Sequence, residues 1–285
     1  MTARFVAEVS SNHARDLDRC FSFIDAAAEV GCSGIKFQLF RIGELFAPEI
    51  LRRSAELRAR RAWELPVEFL GPIAERSHLR GLDFLCTPFY LDAVEELLPF
   101  VDAYKVASYE LLWADLLRAC AATGKPVVLS TGMATMDEVG VAVATLRGAG
   151  CGDLTLLHYV SDYPASPAEC NLAAIATLRD AFGCEVGWSD HSVVAGVVER
   201  AVHRWGAAMV EFHLDLDQLG EEYSAGHCWL PDEIAPLIAS ARAGVEADGA
   251  GGKGPVSSES AERDWRADPV DGLRPLRSVR ATWRP

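Results

Sequence analysis

Positive charge is scarce in this chain: 27 lysines and arginines stand against 41 aspartates and glutamates, a formal net charge of −14. Nucleic acids and anionic membranes recruit basic surfaces, so neither is expected as a general partner. A small anionic substrate stays open, because a few buried lysines make a local positive pocket inside an acidic protein. No two of the eight cysteines, at 20, 32, 86, 120, 151, 170, 184 and 228, form a C-x-x-C pair. Scattered through strand- and helix-like stretches, they read as reduced core thiols. The first residues lack the apolar region of a signal peptide, and no apolar run approaches the roughly 18 residues of a membrane span. A cytoplasmic location is the expectation. Also missing is a G-x-G-x-x-G turn after the first strand-like run, which counts against a doubly wound dinucleotide fold.

The chain does have rhythm. A short apolar run, a polar turn and an amphipathic stretch recur eight times over 285 residues, half of them hydrophobic. The strand-like runs are Phe5–Val9, Gly34–Gln38, Asp83–Thr87, Ala103–Ala107, Val127–Thr131, Leu154–Tyr159, Val186–Ser189 and Ala208–His213. Helix-like stretches follow near 17–30, 66–80, 91–98, 111–123, 135–149, 170–181, 193–205 and 231–246. Strands alternating with helices make parallel units, and consecutive apolar positions fit a sheet covered on both faces. Eight such units predict an α/β fold, a single-domain (β/α)8 TIM barrel of about 250 residues, over 1–246. Residues 247–285 read as a Gly/Ser-rich linker and C-terminal tail. The arginine-rich insertion at 39–64 reads first as a solvated face, with a flap or a subunit contact as alternatives.

In such a barrel the active site forms at the C-terminal strand ends. Those ends carry Glu8, Lys36, Gln38, Thr87, Lys105, Ser108, Glu110, Ser130, Ser161, Tyr163, Ser189, His191, Glu211 and His213. A lysine inside an apolar strand is costly to bury without an anion. Lys36 and Lys105 therefore point to a phosphate or carboxylate ligand, the alternative being an internal pair with Glu8 or Glu110. His191 and His213 end neighbouring strands about 4.8 Å apart, close enough to share an Mn²⁺, Zn²⁺ or Fe²⁺ ion. His158 is left to the core, and His78 and His203 to helix surfaces.

Eight segments carry a resemblance. They are Ala7–His13, Ile35–Gln38, Cys86–Phe89, Tyr104–Ser108, Leu129–Ala134 (L-S-T-G-M-A), Leu157–Pro164, Ser189–Ser192 (S-D-H-S) and Glu211–His213. In this order they resemble the sialic acid synthases, the N-acetylneuraminate synthase family, over roughly residues 5–260. The resemblance implies condensation of phosphoenolpyruvate with a sugar-like aldehyde to give a 2-keto-3-deoxy acid and phosphate. It implies a divalent metal, usually Mn²⁺, with Mg²⁺, Co²⁺ and Zn²⁺ open, on His191 and His213. Lys36, Thr87, Lys105, Ser108, Ser130, Ser161 and Ser189 then match the phosphoenolpyruvate shell. Glu8 matches a residue that moves a proton. Lys105 and His191 join it as the catalytic set, and Gln38, Glu110 and Tyr163 match contacts to the acceptor.

The chain departs from the family on the acceptor side. Family members carry a C-terminal antifreeze-like domain that reaches a partner's sugar pocket, and this sequence stops near where that domain would begin. The family's dimer makes a homodimer plausible here, without the swapped domain that helps to form it. The family's G-P-D-H turn reads Ser224-Ala225-Gly226-His227, keeping the histidine and losing the aspartate, with Glu221 or Glu222 able to compensate. Retained donor chemistry with an altered acceptor is the expectation. A metal-dependent 2-keto acid lyase and a non-catalytic barrel that partners another enzyme are the alternatives. The first has no need of a full phosphate shell, and the second no need of Glu8, two lysines and two histidines.

Overall fold

In the computed structural model, which describes residues 3–284, the chain forms two compact units that divide between residues 245 and 246. The first is a closed barrel of eight parallel strands: β1 (Arg4–Glu8), β2 (Gly34–Leu39), β3 (Asp83–Pro88), β4 (Ala103–Val106), β5 (Val127–Ser130), β6 (Leu154–Tyr159), β7 (Glu185–Asp190) and β8 (Met209–Leu214). Neighbours pair in sequence order and β8 closes on β1. A ninth strand of two residues, β9 (Cys228–Trp229), adds in parallel to the end of β8. It takes up the edge where the β7 pairing stops at Asp190↔Phe212. The eight-unit reading is thus correct, and β9 is the element it lacks, because two residues carry no periodicity.

The outer helices begin where the local chemistry says they should. The Asp16 side chain accepts from the backbone of Asp18 and Arg19 and caps helix Leu17–Glu29. Thr135 and Glu138 close a reciprocal capping box on helix Met136–Gly148. Pro231 opens helix Pro231–Asp248, where its missing N–H costs nothing.

Alternation along each strand decides what faces the barrel axis. A lower layer of Val6, Leu85, Val128, Leu157 and Met209 packs into an apolar plug. Gly187 occupies that level because a Cβ there would lie 2.3 Å from the Met209 carbonyl oxygen and 2.7 Å from Leu157. The outward residues, such as Phe5, Phe37, Phe84 and Trp188, pack in the main core between barrel and helices. The eight cysteines are free thiols, seven of them buried. No helix among the described residues is long and apolar enough to cross a membrane.

The second unit holds short helical turns at Ser257–Glu259, Ser260–Asp264 and Arg277–Arg280. Asp271 ties it together through Arg280 and Arg277, and Trp265 meets Trp283 edge-on at 6.4 Å.

Candidate active site

One layer above the plug, the inward positions turn polar. Lys36 and Gln38 from β2, Ser130 from β5, Ser189 from β7 and Glu211 and His213 from β8 line a cavity of about 890 Å³ with Lys105, Ser108, Glu110, Tyr163 and His191. Of the residues singled out from sequence, Glu8, Thr87 and Ser161 are not on its surface; Glu8 is fully buried behind Lys36 and Gln38. Thr87 is buried at the end of β3, and Ser161 accepts a hydrogen bond from Tyr159 at 3.0 Å. A smaller cavity, about 180 Å³, lies at the opposite strand ends around Arg4, Asp83 and Thr155.

Charge at the floor of the large cavity is balanced inside the protein. Lys36 pairs closely with Glu8 and lies 3.7 Å from Glu211. Lys105 lies 3.4 Å from Glu211, so its partner is Glu211 and not Glu110. Gln38 donates to Glu8 at 2.6 Å and Ser189 to Glu211 at 3.2 Å. Burial works against the Lys36 charge, but Glu211 and Glu8 outweigh it and raise its pKa. At Lys105 burial wins and lowers the ammonium to about 8. The two lysines sit in a shared field, still cationic near neutrality, with room above them for an anion.

Glu110 faces the same cavity without a partner for Oε2. Burial pushes its carboxyl up to about 7, against the pull of Lys105. Folding thus favours the protonated acid over an unfolded value of 4.5. The penalty is absent below the unfolded value and complete above about 7, so stability falls as pH rises through that window. Glu110→Gln is expected to match the parent in urea denaturation near pH 5 and to exceed it by about 1–3 kcal/mol near pH 8. Equal stability at both pH values would remove this account of Glu110.

Three imidazoles meet at the other wall. His191 and His213 have ring centroids 5.0 Å apart, His213 and His227 5.1 Å, and Tyr163 packs against all three. His191 and His227 each bury an Nδ1 with no hydrogen-bond partner. Burial holds the pKa of His191 well below its ordinary value and lowers His227 to about 4, so both are neutral and keep a lone pair. Glu222 accepts from His213 Nδ1 at 2.7 Å and also pairs with the Ser10 hydroxyl. Although burial opposes it, these partners hold Glu222 down to about 2. Burial opposes a charge on His213, but Glu222 outweighs it and raises the pKa of that ring; the lone pairs of neutral His191 and His227 beside the ionised carboxylate are donors that a divalent cation takes. His213, Glu222, His227 and Cys228 offer ligand atoms all within 4.8 Å of one another. Sequence reasoning had the two histidines of the strand ends. The S-A-G-H turn and the E-E pair were its only signal for His227 and Glu222, and nothing marked Cys228.

The insertion at 39–64 is a correction. It folds into short helices at Ile42–Leu45, Pro48–Arg53 and Ala55–Ala59 and a turn at Arg60–Trp63. Its arginines are largely exposed, yet Ile42, Leu45, Phe46, Arg60 and Trp63 line the cavity with Phe40 and Phe89. It is a wall of the site, and mostly an apolar one.

Comparison with known proteins agrees with this geometry. The model of the NeuB family matches residues 23–253. An uncharacterized protein of Methanocaldococcus jannaschii is 35% identical over 257 residues, covering 89% of this chain and 74% of the relative. The N,N'-diacetyllegionaminic acid synthase of Legionella pneumophila is 33% identical over 279 residues, covering 91% and 77%. Among solved structures, the N-acetylneuraminic acid synthetase of Leptospira borgpetersenii superposes with a TM-score of 0.81 at 29% identity, covering 92% of this chain and 90% of that one.

Proposed function

The chain belongs to the NeuB family, and from that premise we propose that it is a transferase joining phosphoenolpyruvate to a sugar-like aldehyde. The observation that carries the reading is the pair of buried lysines under an open cavity, ringed by Ser108, Ser130 and Ser189. C3 of phosphoenolpyruvate attacks the aldehyde carbon, water adds at C2, and inorganic phosphate leaves, giving a 2-keto-3-deoxy acid. Lys36 and Lys105 hold the donor's charge and meet the departing phosphate. Glu8, fully buried beneath the cavity and tied to Lys36 and Gln38, which both line it, is the family-matched group for the proton of the incoming water. His191 and His213 remain the family-matched metal positions. A bound divalent metal would supply Lewis-acid polarisation of the aldehyde oxygen.

The acceptor end supports a finer reading. Phe40, Ile42, Leu45, Phe46, Trp63 and Phe89 face the cavity, so the acceptor presents apolar substituents there, such as N-acyl methyls or a deoxy carbon. The relative named for a diacetylated product fits that chemistry. Burying one methyl is worth about 0.8 kcal/mol, or roughly fourfold. Trp63→Ala is expected to lower kcat/KM for di-N-acylated deoxyhexoses about tenfold, with KM for phosphoenolpyruvate within about twofold. A similar loss for a fully hydroxylated hexose would show that Trp63 does not select the substituent.

The reading as a whole is tested by phosphate release from phosphoenolpyruvate with Mn²⁺ over a panel of hexosamines, deoxyhexoses, hexoses and pentoses, with product masses. An acceptor mass increased by a three-carbon keto acid is the expected result. Absence of phosphoenolpyruvate binding by calorimetry in the presence of metal would overturn it.

A further inference from the structure

We propose that Glu222 is the positioning residue of His213: its carboxylate holds Nδ1 of the ring and leaves Nε2 as the nitrogen that meets the cation. The proposal rests on the reading of His191 and His213 as the metal positions, and it adds the group that aims one of them. Glu222 stands on the short helix Glu221–Ala225, in the connection between β8 and β9. His213 belongs to β8, and its Nδ1 lies 2.7 Å from Glu222 Oε2. Two further groups stand off from that oxygen, His227 Nε2 and Cys228 Sγ, both at 3.9 Å.

The direction of the hydrogen bond follows from the donors in a chain of side chains that starts at Glu8. The amide nitrogen of Gln38 has two hydrogens, and both are placed, one on Glu8 at 2.6 Å and one on the Ser10 hydroxyl at 3.3 Å. Ser10 accepts from Gln38 and gives its own hydrogen to Glu222 Oε1. Glu222 Oε2 is an acceptor too, so His213 Nδ1 carries the hydrogen between them. The two nitrogens of a neutral imidazole take opposite roles, and the lone pair is therefore on Nε2. A carboxylate on the far nitrogen also fixes the plane of the ring and makes the free nitrogen a stronger ligand. The backbone serves the same contact. Ser10 is buried and holds a left-handed conformation, φ +50°, which a residue other than glycine adopts at a cost. The turn that carries this strain presents the hydroxyl to Glu222. With both oxygens taken by the protein, Glu222 is committed to His213 and does not replace the aspartate that contacts the acceptor in the family's turn.

Nitrogen NMR of the metal-free full chain, labelled at histidine and held at alkaline pH, reads the tautomer directly. The His213 signal, assigned by its loss in His213→Asn, is expected to show a hydrogen on Nδ1, and Glu222→Leu should abolish that preference. Calorimetric titration with Mn²⁺ gives the second readout. Glu222→Leu should weaken binding about 10- to 100-fold. Glu222→Gln, whose amide oxygen still accepts from Nδ1, should recover most of the loss, which separates positioning from direct ligation by the carboxylate. At saturating Mn²⁺, KM for the acceptor in Glu222→Gln should stay within about twofold of the parent. A hydrogen on Nε2 in the parent would overturn the proposal by itself, with no variant needed to fold. Parent affinity in Glu222→Leu, or equal losses in the leucine and glutamine variants, would overturn it as well. A rise in acceptor KM at saturating metal would do the same, by making Glu222 a contact to the acceptor. Phosphate release measured on the same preparations separates the outcome from the functional reading. Turnover by a protein whose His213 carries its hydrogen on Nε2 leaves the condensation standing and removes the role of Glu222. The expected tautomer and affinities without turnover on any acceptor do the reverse.

Discussion

Lys105→Met is expected to cut kcat/KM for phosphoenolpyruvate by about 10³-fold, near the upper range for losing one charged donor at a dry reacting centre. Methionine keeps the length and apolar stem of lysine, so the cavity floor stays filled. What disappears is one of two cations beneath the donor, at a site where a charge is worth far more than in water. The remaining field is then wrong in sign. Glu211, 3.4 Å from Lys105 and 3.7 Å from Lys36, is shared by two ammoniums in the parent and matched by one in the variant. A phosphate approaching Lys36 would meet Glu8 and Glu211 with only a single positive charge between them. The defect should therefore appear in both phosphoenolpyruvate affinity and turnover. Lys105→Arg restores charge but not shape, because a planar fork does not fit a pocket built around a point charge. It should recover only part of the loss. Steady-state phosphate release at saturating acceptor measures both variants, and activity within about tenfold of the parent in Lys105→Met would place the donor elsewhere.

That argument depends on a partner that strand alternation makes visible only in part. Period-2 reading marks Glu8, Lys36, Gln38, Ser130, Ser189, Glu211 and His213 as facing one way, because each strand is short and apolar around them. It does not say which carboxylate meets which lysine across the barrel. Glu110 is close to Lys105 in sequence, whereas Glu211 reaches it from β8 through barrel closure, which local pattern does not encode. The insertion is opaque for a related reason. Its helices are too short to show a 3.6-residue period, so exposed arginines dominate their composition and hide Phe46 and Trp63 on the cavity side. Cys228 is opaque because its position follows from a two-residue strand. Nothing in Cys228-Trp229 distinguishes a strand from a turn until β8 is there to pair with it.

The same added strand gives the second large effect. Asp190 ends β7, is fully buried, and accepts from five donors: Trp188 Nε1 at 3.0 Å, the Ser192 hydroxyl at 2.7 Å, the Ser192 and Val193 backbones at 3.3 and 3.2 Å, and Trp229 Nε1 at 2.9 Å. One side chain thus fixes the turn that presents His191 and clamps β9 across the end of the barrel. Asp190→Ala strands those donors in a dry interior, each at about 1–3 kcal/mol and not additively. The expected total is about 4 kcal/mol, a fall in Tm of roughly 8–16 °C for a chain of this size. Asp190→Asn should lose less, because its carbonyl still serves one set of donors while its amide faces the other. The two effects part at low temperature. Well below the transition Asp190→Ala is still folded, but His191 is no longer held by its turn and Trp229 no longer anchors the strand that carries Cys228. Phosphate release should then fall by about 10²-fold or more in protein that melts cooperatively. Thermal melts paired with activity near 20 °C decide the matter: a lower Tm with full activity in the folded protein would make Asp190 a stabilising residue alone, and would show that His191 keeps its place without it.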